Sequence, residues 1–309
     1  MIIEEVRMPK TKKEYLNNSK VANYISTNNE LFDKTLLLTT IPKKNIFVTV
    51  DLTADKNLSL TNQNITPYDM AVMDSVYTLL VNRVAAFTPE MIVRIMSGNF
   101  EQNVTPQKIG AVTKSLNKLS LIRITIDCTE ELRARKQIEK DQTAQLTSYL
   151  MPLKVIEIKS ANHRATMKGY QLLEKPVLYT YAENINQIMS IPTKLLETKA
   201  KISDTDEIIV IKRTLIKRIE AMKNEKNKIN SNIITYERHD PKTGEERGFF
   251  YTLGIQKSKY SNWKKKKNTL HHSITTILND FISDNYITGY NVIKEGAQKI
   301  TGVEILFKK

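Results

Sequence analysis

The chain has 309 residues, enough for two hydrophobic cores, and a formal net charge of +14, a surplus that favours polyanionic partners. No apolar run is long enough to span a membrane, and MIIEEVRMPKTKKEY at the amino terminus carries acids where a secretory signal would be basic. A cytoplasmic protein with no membrane partner is therefore expected.

The chemistry-bearing residues are few. Cys128 is the only cysteine, and the four histidines are His163, His239, His271 and His272. They form neither a thiolate zinc spacing nor the His-x-His pair of a nicking nuclease. No glycine-rich run ends in Gly-Lys-Ser/Thr, and no Gly-x-Ser-x-Gly elbow is present. The expectation is a protein that is not an enzyme and takes no metal or cofactor.

In chain order, residues 1–60 read as an amino-terminal extension, a possible arm, in which NIFVTVDL (Asn45–Leu52) alternates like a strand. Three helix starts of one design follow, at Thr66-Pro67, Thr88-Pro89 and Thr105-Pro106. In each, threonine can cap the first turn and proline fits the next position, where its missing N–H costs nothing. Gly98 ends the second helix. The third places Ile109, Val112, Leu116 and Leu119 on one face, and LIRITID (Leu121–Asp127) alternates as a strand. Helices of roughly 17, 9 and 14 residues followed by a strand predict a winged helix-turn-helix, with that strand beginning the wing. MPLKVIEIK (Met151–Lys159) reads as the returning strand. TEELRARKQIEKDQTAQL between them reads as an inserted helix capped by Thr129. GYQLLE, PVLYTYA and QIMSI read as further strands.

The second half repeats the plan. SDTDEIIVIKRTLIKRIEAMK is a helix capped by Ser203 or Asp204. NIITYER and RGFFYTL read as a β-hairpin around a turn with Asp240-Pro241 and Gly244, where His239 is a turn residue. A lysine-led helix follows. YITGYNVI and QKITGVEILF then form a closing hairpin turning at Gly296. The fold class predicted is α+β: two tandem winged helix-turn-helix domains, the first with an elaborated wing, over residues 61–192 and 193–309. The first would contact DNA, and the second would be the main DNA-binding domain.

SNWKKKKNTLHHSITTILNDFISDNYITGY carries the strongest functional signal. From Arg247 through Asn279 the chain has one arginine, six lysines and no acid. With Ile274 at the centre of a buried face, Trp263, Leu270, Ile277, Leu278 and Phe281 fall beside it. Lys265, Asn268, Thr269, His272 and Thr276 fall opposite, with the chemistry to read a major groove: lysine suits guanine and asparagine suits adenine. Lys264, Lys266 and Lys267 spread round the front of the helix, within reach of phosphates. His271 and His272 point about 100° apart, which suits chelation poorly. On the third helix of the first half, the matching face carries Gln107, Gly110, Lys114 and Asn117, with Lys118 at its edge. Gly110 admits two readings, close packing on another helix or close approach of the backbone to DNA.

KYSNWKKKKNTLHHSITTILNDFISDNYITGYNV with ITGVEILFKK resembles the second winged helix of iteron-binding plasmid replication initiators. PVLYTYAENINQIMSIPTKLLE is similar to their inter-domain segment, and ITPYDMAVMDSVYTLL to the first helix of their first domain. The resemblance spans residues 60–309. It implies binding of double-stranded DNA at directly repeated origin sites as a monomer, with a dimer formed through the first domain. It also implies recruitment of the host initiator and helicase without nucleotide hydrolysis. A winged-helix transcription regulator of a mobile element or phage is the alternative. A nuclease or relaxase is disfavoured by the histidines.

Overall fold

The computed structural model describes residues 9, 11–27, 38–41, 46–50, 64–159, 166–199, 202–223, 233–239, 241, 246–296 and 299–307. Contacts divide the chain into two units, Met1–Thr193 and Lys194–Lys309. Helix and sheet are mixed in both, an α+β architecture. Asp240, Gly244 and His163, named above, lie outside the described residues.

The first unit starts with β1 (Lys13–Asn17), α1 (Lys20–Thr27), β2 (Leu38–Ile41) and β3 (Ile46–Val50). Next come α2 (Pro67–Val81), β4 (Ala86–Phe87), α3 (Pro89–Ser97) and α4 (Pro106–Leu121). The remainder is β5 (Ile122–Asp127), α5 (Thr129–Ala134), β6 (Gln145–Tyr149), β7 (Leu153–Lys159), β8 (Thr166–Leu172), α6 (Val177–Asn184) and β9 (Ile188–Pro192). Helix α2 is the hub. Every residue from Asp69 to Leu79 is buried, so its polar groups need partners inside the protein. Asp74 accepts the Asn17 backbone N–H at 2.8 Å and the Tyr179 hydroxyl at 2.6 Å. Thr78 accepts the Tyr15 N–H at 3.0 Å. These bonds seat β1 on α2, and β1 pairs antiparallel with β9. Residues 13–17, expected in an extension, are thus built into the unit, with Glu14, Leu16 and Asn17 buried.

Two of the three threonine caps form. Thr66 and Asp69 make a reciprocal capping box, and Thr105 accepts the Lys108 N–H, whereas the Thr88 side chain makes no cap bond. The expected wing is corrected. β5 continues directly from α4 but pairs with β3 and β6, in a four-stranded sheet ordered β2-β3-β5-β6. The hairpin that follows the helices is β7–β8, and its inner strand takes β4 as third member, in the order β4-β8-β7. The inserted helix shrinks to the six residues of α5. PVLYTYA, expected as a strand, forms α6, with Val177, Leu178, Tyr179, Tyr181 and Ala182 buried on it. Alternating apolar residues and tyrosines fit either period over so short a run.

The second unit comprises α7 (Asp206–Lys223), β10 (Ile233–Thr235), β11 (Arg238–His239), β12 (Glu246–Arg247), α8 (Phe249–Thr252), α9 (Trp263–Ser283), β13 (Gly289–Glu295) and β14 (Lys299–Leu306). The cap of α7 is Thr205, whose hydroxyl accepts the Ile208 N–H at 3.3 Å, rather than Ser203 or Asp204. Lys212 is buried at 1% exposure. Its ammonium donates to Leu196 O, Glu197 O and Thr198 Oγ1 at 3.1, 2.9 and 3.0 Å. Burial lowers its pKa to about 8. The expected first hairpin is mostly absent. β11 and β12 pair over two residues only, and RGFFYTL turns into α8, which buries Phe249 and Phe250. β10 pairs instead with the last strand, giving the order β10-β14-β13.

The two units therefore share one plan: helix, short strand, helix, long helix, then a hairpin whose second strand pairs with the short strand. Gly302 permits that pairing in the second unit. A Cβ there would lie 2.3 Å from the Ile234 carbonyl oxygen, a backbone atom that cannot yield without breaking the ladder. Gly302→Ala is expected to destabilise the unit by about 1–3 kcal/mol, as overpacking does elsewhere. Urea unfolding of variant and parent would check this.

Candidate nucleic-acid interface

Helix α9 is oriented by what its inner side touches. Leu270, Ile274, Ile277, Leu278 and Phe281 are buried, as the helical spacing predicts. The Asn262 side chain caps it, accepting the Lys265 N–H at 2.9 Å. The lysine run then divides. Lys264 and Lys265 are exposed. Lys266 pairs with Glu207 of α7 and lies 5.1 Å from the centre of the Tyr260 ring, and Lys267 pairs with Glu237. The latter two side chains are only 19% and 18% exposed. They tie the helix down, and their charge is already neutralised.

Asn268, Thr269 and His272 are exposed. With Lys265 they occupy positions i, i+3, i+4 and i+7 of one open stripe. Thr276, expected one turn further along, is buried at 8% exposure, and its hydroxyl donates to His272 O at 2.9 Å. Ser273, three residues before it, is buried as well. The covered arc is thus wider at this level than the leucine and isoleucine stripe implies, and the open stripe stops at His272. The paired histidines part as expected: His272 outward, and His271 half-buried with its Nδ1 2.7 Å from the Tyr236 hydroxyl. Burial, and secondarily the neighbouring His272, push the His271 pKa down.

On α4, Gln107, Gly110 and Lys114 are exposed. Among the described residues nothing lies within 4 Å of a Cβ built on Gly110, so none of them packs closely against this glycine. Asn117 is exposed, but its Oδ1 already accepts the Tyr170 hydroxyl at 3.1 Å. Lys118 turns back to pair with Asp69 and to donate to Asn64 O, so it belongs to the start of α2 rather than to an open face.

Beside the first turn of α9 the second unit has a cleft of about 740 Å³. Phe250, Tyr251, Tyr260 and Trp263 line it. The sequence reading did not single it out. Its signal is the alternation of aromatic and basic residues from Arg247 to Lys264, but only folding brings α8 and the start of α9 to one wall. Among the described residues no cluster of histidine, cysteine, aspartate or glutamate could hold a metal ion, and no helix is long and apolar enough to cross a membrane.

No protein-family model matches the chain, and no curated protein matches it. Two solved structures of domains 2 and 3 of RctB, one a selenomethionine derivative, are similar to it. Their TM-scores are 0.40 and 0.39 at 10% and 8% identity, over 97% of this chain and 92% and 94% of those chains. At this level of likeness, function is argued from this chain's own residues.

The split of the lysine run has a measurable consequence. Replacing Lys266 and Lys267 together by alanine is expected to lower stability by about 1–2 kcal/mol, because two partly sheltered ion pairs are lost. Replacing Lys264 and Lys265 should change it by less than about 0.5 kcal/mol. Thermal melting of the two double variants distinguishes them.

His271 makes stability depend on pH with a defined sign. Its folded pKa is depressed, so between the ordinary value of about 6.5 and the lower folded value the unfolded chain binds the extra proton. The contribution is therefore intact above about pH 6.5 and lost as pH falls below it. Melting temperature should drop as pH falls below about 6.5 in the parent, and this component should be missing from His271→Gln.

Proposed function

We propose that each unit is a winged helix-turn-helix and that the chain is a sequence-specific double-stranded DNA-binding protein, a replication initiator of the plasmid type. The observation that carries this reading is the open stripe of Lys265, Asn268, Thr269 and His272, with Lys264 beside it, on the long helix that precedes a terminal hairpin. Its side chains combine phosphate contacts with base-edge donors and acceptors. The second lysine pair supports the reading indirectly, since it holds the helix in place without using up the outer pair. On α4, Gln107, Gly110 and Lys114 form a smaller and less basic counterpart. Among the described residues nothing packs against the glycine there, which supports close approach of a DNA backbone.

Two copies of one plan on a single chain favour a long, asymmetric or directly repeated site, whereas a transcription regulator commonly dimerises on a palindrome. Opening a duplex costs about 1.4 kcal/mol per base-pair step. A chain without a phosphate-binding loop must draw this from binding, supercoiling and partners. Several copies bound side by side, with the host initiator and helicase, meet that requirement. The reading assigns no catalytic activity and no cofactor.

Selection from a random duplex library tests the reading. A directly repeated consensus is expected, and a palindrome would favour the regulator. Across a salt series, Lys264→Ala with Lys265→Ala should reduce the slope of log K against log salt by about 1.8, at 0.9 per phosphate contact. Gly110→Ala should raise stability by about 1 kcal/mol through helix propensity while weakening binding to the selected site. Failure to enrich any sequence would overturn specific binding. Permanganate reactivity beside the repeats, on negatively supercoiled plasmid only, is the outcome expected of an initiator.

A further inference from the structure

We propose that Lys257 and Lys259, in the turn that leads into α9, are phosphate contacts of the second unit. Its hold on the DNA backbone then comes from the whole corner between α8 and α9 and not from the helix alone. The inference rests on the duplex-binding reading above and deepens it. From Arg247 through Asn279 the chain has six lysines and no acid. Two of the six, Lys266 and Lys267, are taken up by Glu207 and Glu237. The other four, Lys257, Lys259, Lys264 and Lys265, are exposed, and none forms an ion pair among the described residues. Of the two carboxylates on the neighbouring cleft wall, Glu237 is committed to Trp263 and Lys267, and Glu246 makes no ion pair with Lys257. A polyanion relieves the mutual repulsion of the four exposed ammonium groups.

The corner holds these lysines in place. After α8 the chain turns at Gly254, whose φ of 73° is left-handed and suits glycine, and its N–H donates to Tyr251 O at 2.9 Å. Lys257–Lys259 is a single 3-10 turn. Lys259 N–H donates to Gln256 O at 3.1 Å, and Tyr260 N–H to Lys257 O at 3.2 Å. The Tyr260 ring fastens this turn to the helix: its centre lies 6.0 Å from that of Trp263 and 5.1 Å from the Lys266 ammonium. Asn262 then caps α9. Two lysines before the helix and two in its first turn therefore project from one ordered stretch of backbone. A phosphate meets donors already placed and has no loop to order. A duplex fits this corner better than an anionic membrane does, because the stripe of Asn268, Thr269 and His272 continues from it with base-edge chemistry that a lipid surface leaves unused.

The test is Lys257→Ala with Lys259→Ala in the full chain. Both positions are exposed, so the melting temperature should not change. The slope of log K against log salt should fall by about 1.8, at 0.9 per contact, on the selected site and on an unrelated duplex alike. Adding Lys264→Ala and Lys265→Ala should bring the fall to about 3.6. The consensus recovered by selection should stay the same, since phosphates carry no base identity. Ethylation interference gives the local readout: phosphates beside the tract whose ethylation blocks the parent should become indifferent in the variant. A parent that binds duplex and a variant with the same slope would overturn this proposal and leave the duplex-binding reading standing. A lower slope with an unchanged ethylation pattern overturns it too, because net charge rather than contact would be responsible. So does a changed consensus, because the lysines would then be reading bases. A parent that binds no duplex removes the reading and the proposal together, and binding of that parent but not the variant to phosphatidylserine vesicles would assign the corner to a membrane surface instead.

Discussion

Two carboxylates decide what the basic helix of the second unit presents. Glu207 and Glu237 take up Lys266 and Lys267 on a helix whose rotation is set by its buried stripe of Leu270, Ile274, Ile277, Leu278 and Phe281. The pairing removes half of the lysine run from the open surface. Lys264 and Lys265 then face outward, with Asn268, Thr269 and His272 on the same side, and the Tyr236–His271 hydrogen bond holds the next turn. The Glu237 carboxylate also takes the Trp263 indole N–H, so the same pairing shapes the neighbouring cleft.

The repetition of one plan in the two units is a matter of strand pairing more than of helices. In both, a short strand between the first two helices recruits the far strand of the hairpin, and that pairing closes the sheet against the helices. The first unit accepts a large departure without losing the plan. Its helix α4 runs straight into β5, yet β5 leaves for a second sheet, and the chain returns as β7 to complete the first. An antiparallel hairpin needs only its own turn and one neighbour, so an insertion between helix and hairpin leaves the pairing rules intact. The polar residues of α2 serve the same unit differently. Asp74, Ser75 and Thr78 would be costly in a helix buried all round, and they are accommodated because β1 brings hydrogen-bonding groups to meet them.

Glycine separates two kinds of constraint in this chain. At Gly302 the neighbouring backbone leaves no room for a Cβ, so the residue is required by the fold itself. At Gly110 none of the described residues comes near a Cβ and the backbone is ordinary helix, so alanine would fit there and favour the helix.

Local signals determined much of this protein. Threonine-proline starts placed α2, α3 and α4, helical periodicity placed the buried stripe of α9, and strand alternation placed β3, β5, β7, β8, β9 and the closing hairpin, because each follows from residues within a few turns of one another. The open positions Lys264, Lys265, Asn268, Thr269, His272, Gln107 and Lys114 were legible for the same reason. What required the tertiary structure was every choice between partners far apart in sequence. Whether β5 pairs with the next strand or with β3, whether Lys118 faces outward or meets Asp69, and whether Lys266 reaches solvent or Glu207 are decided by long-range contacts that no local pattern encodes. PVLYTYA and RGFFYTL failed as strands because a short apolar run has no period of its own. Burial against distant elements chose helix for both. The aromatic cleft belongs with these, since its rings come from segments whose mutual placement only the folded unit sets.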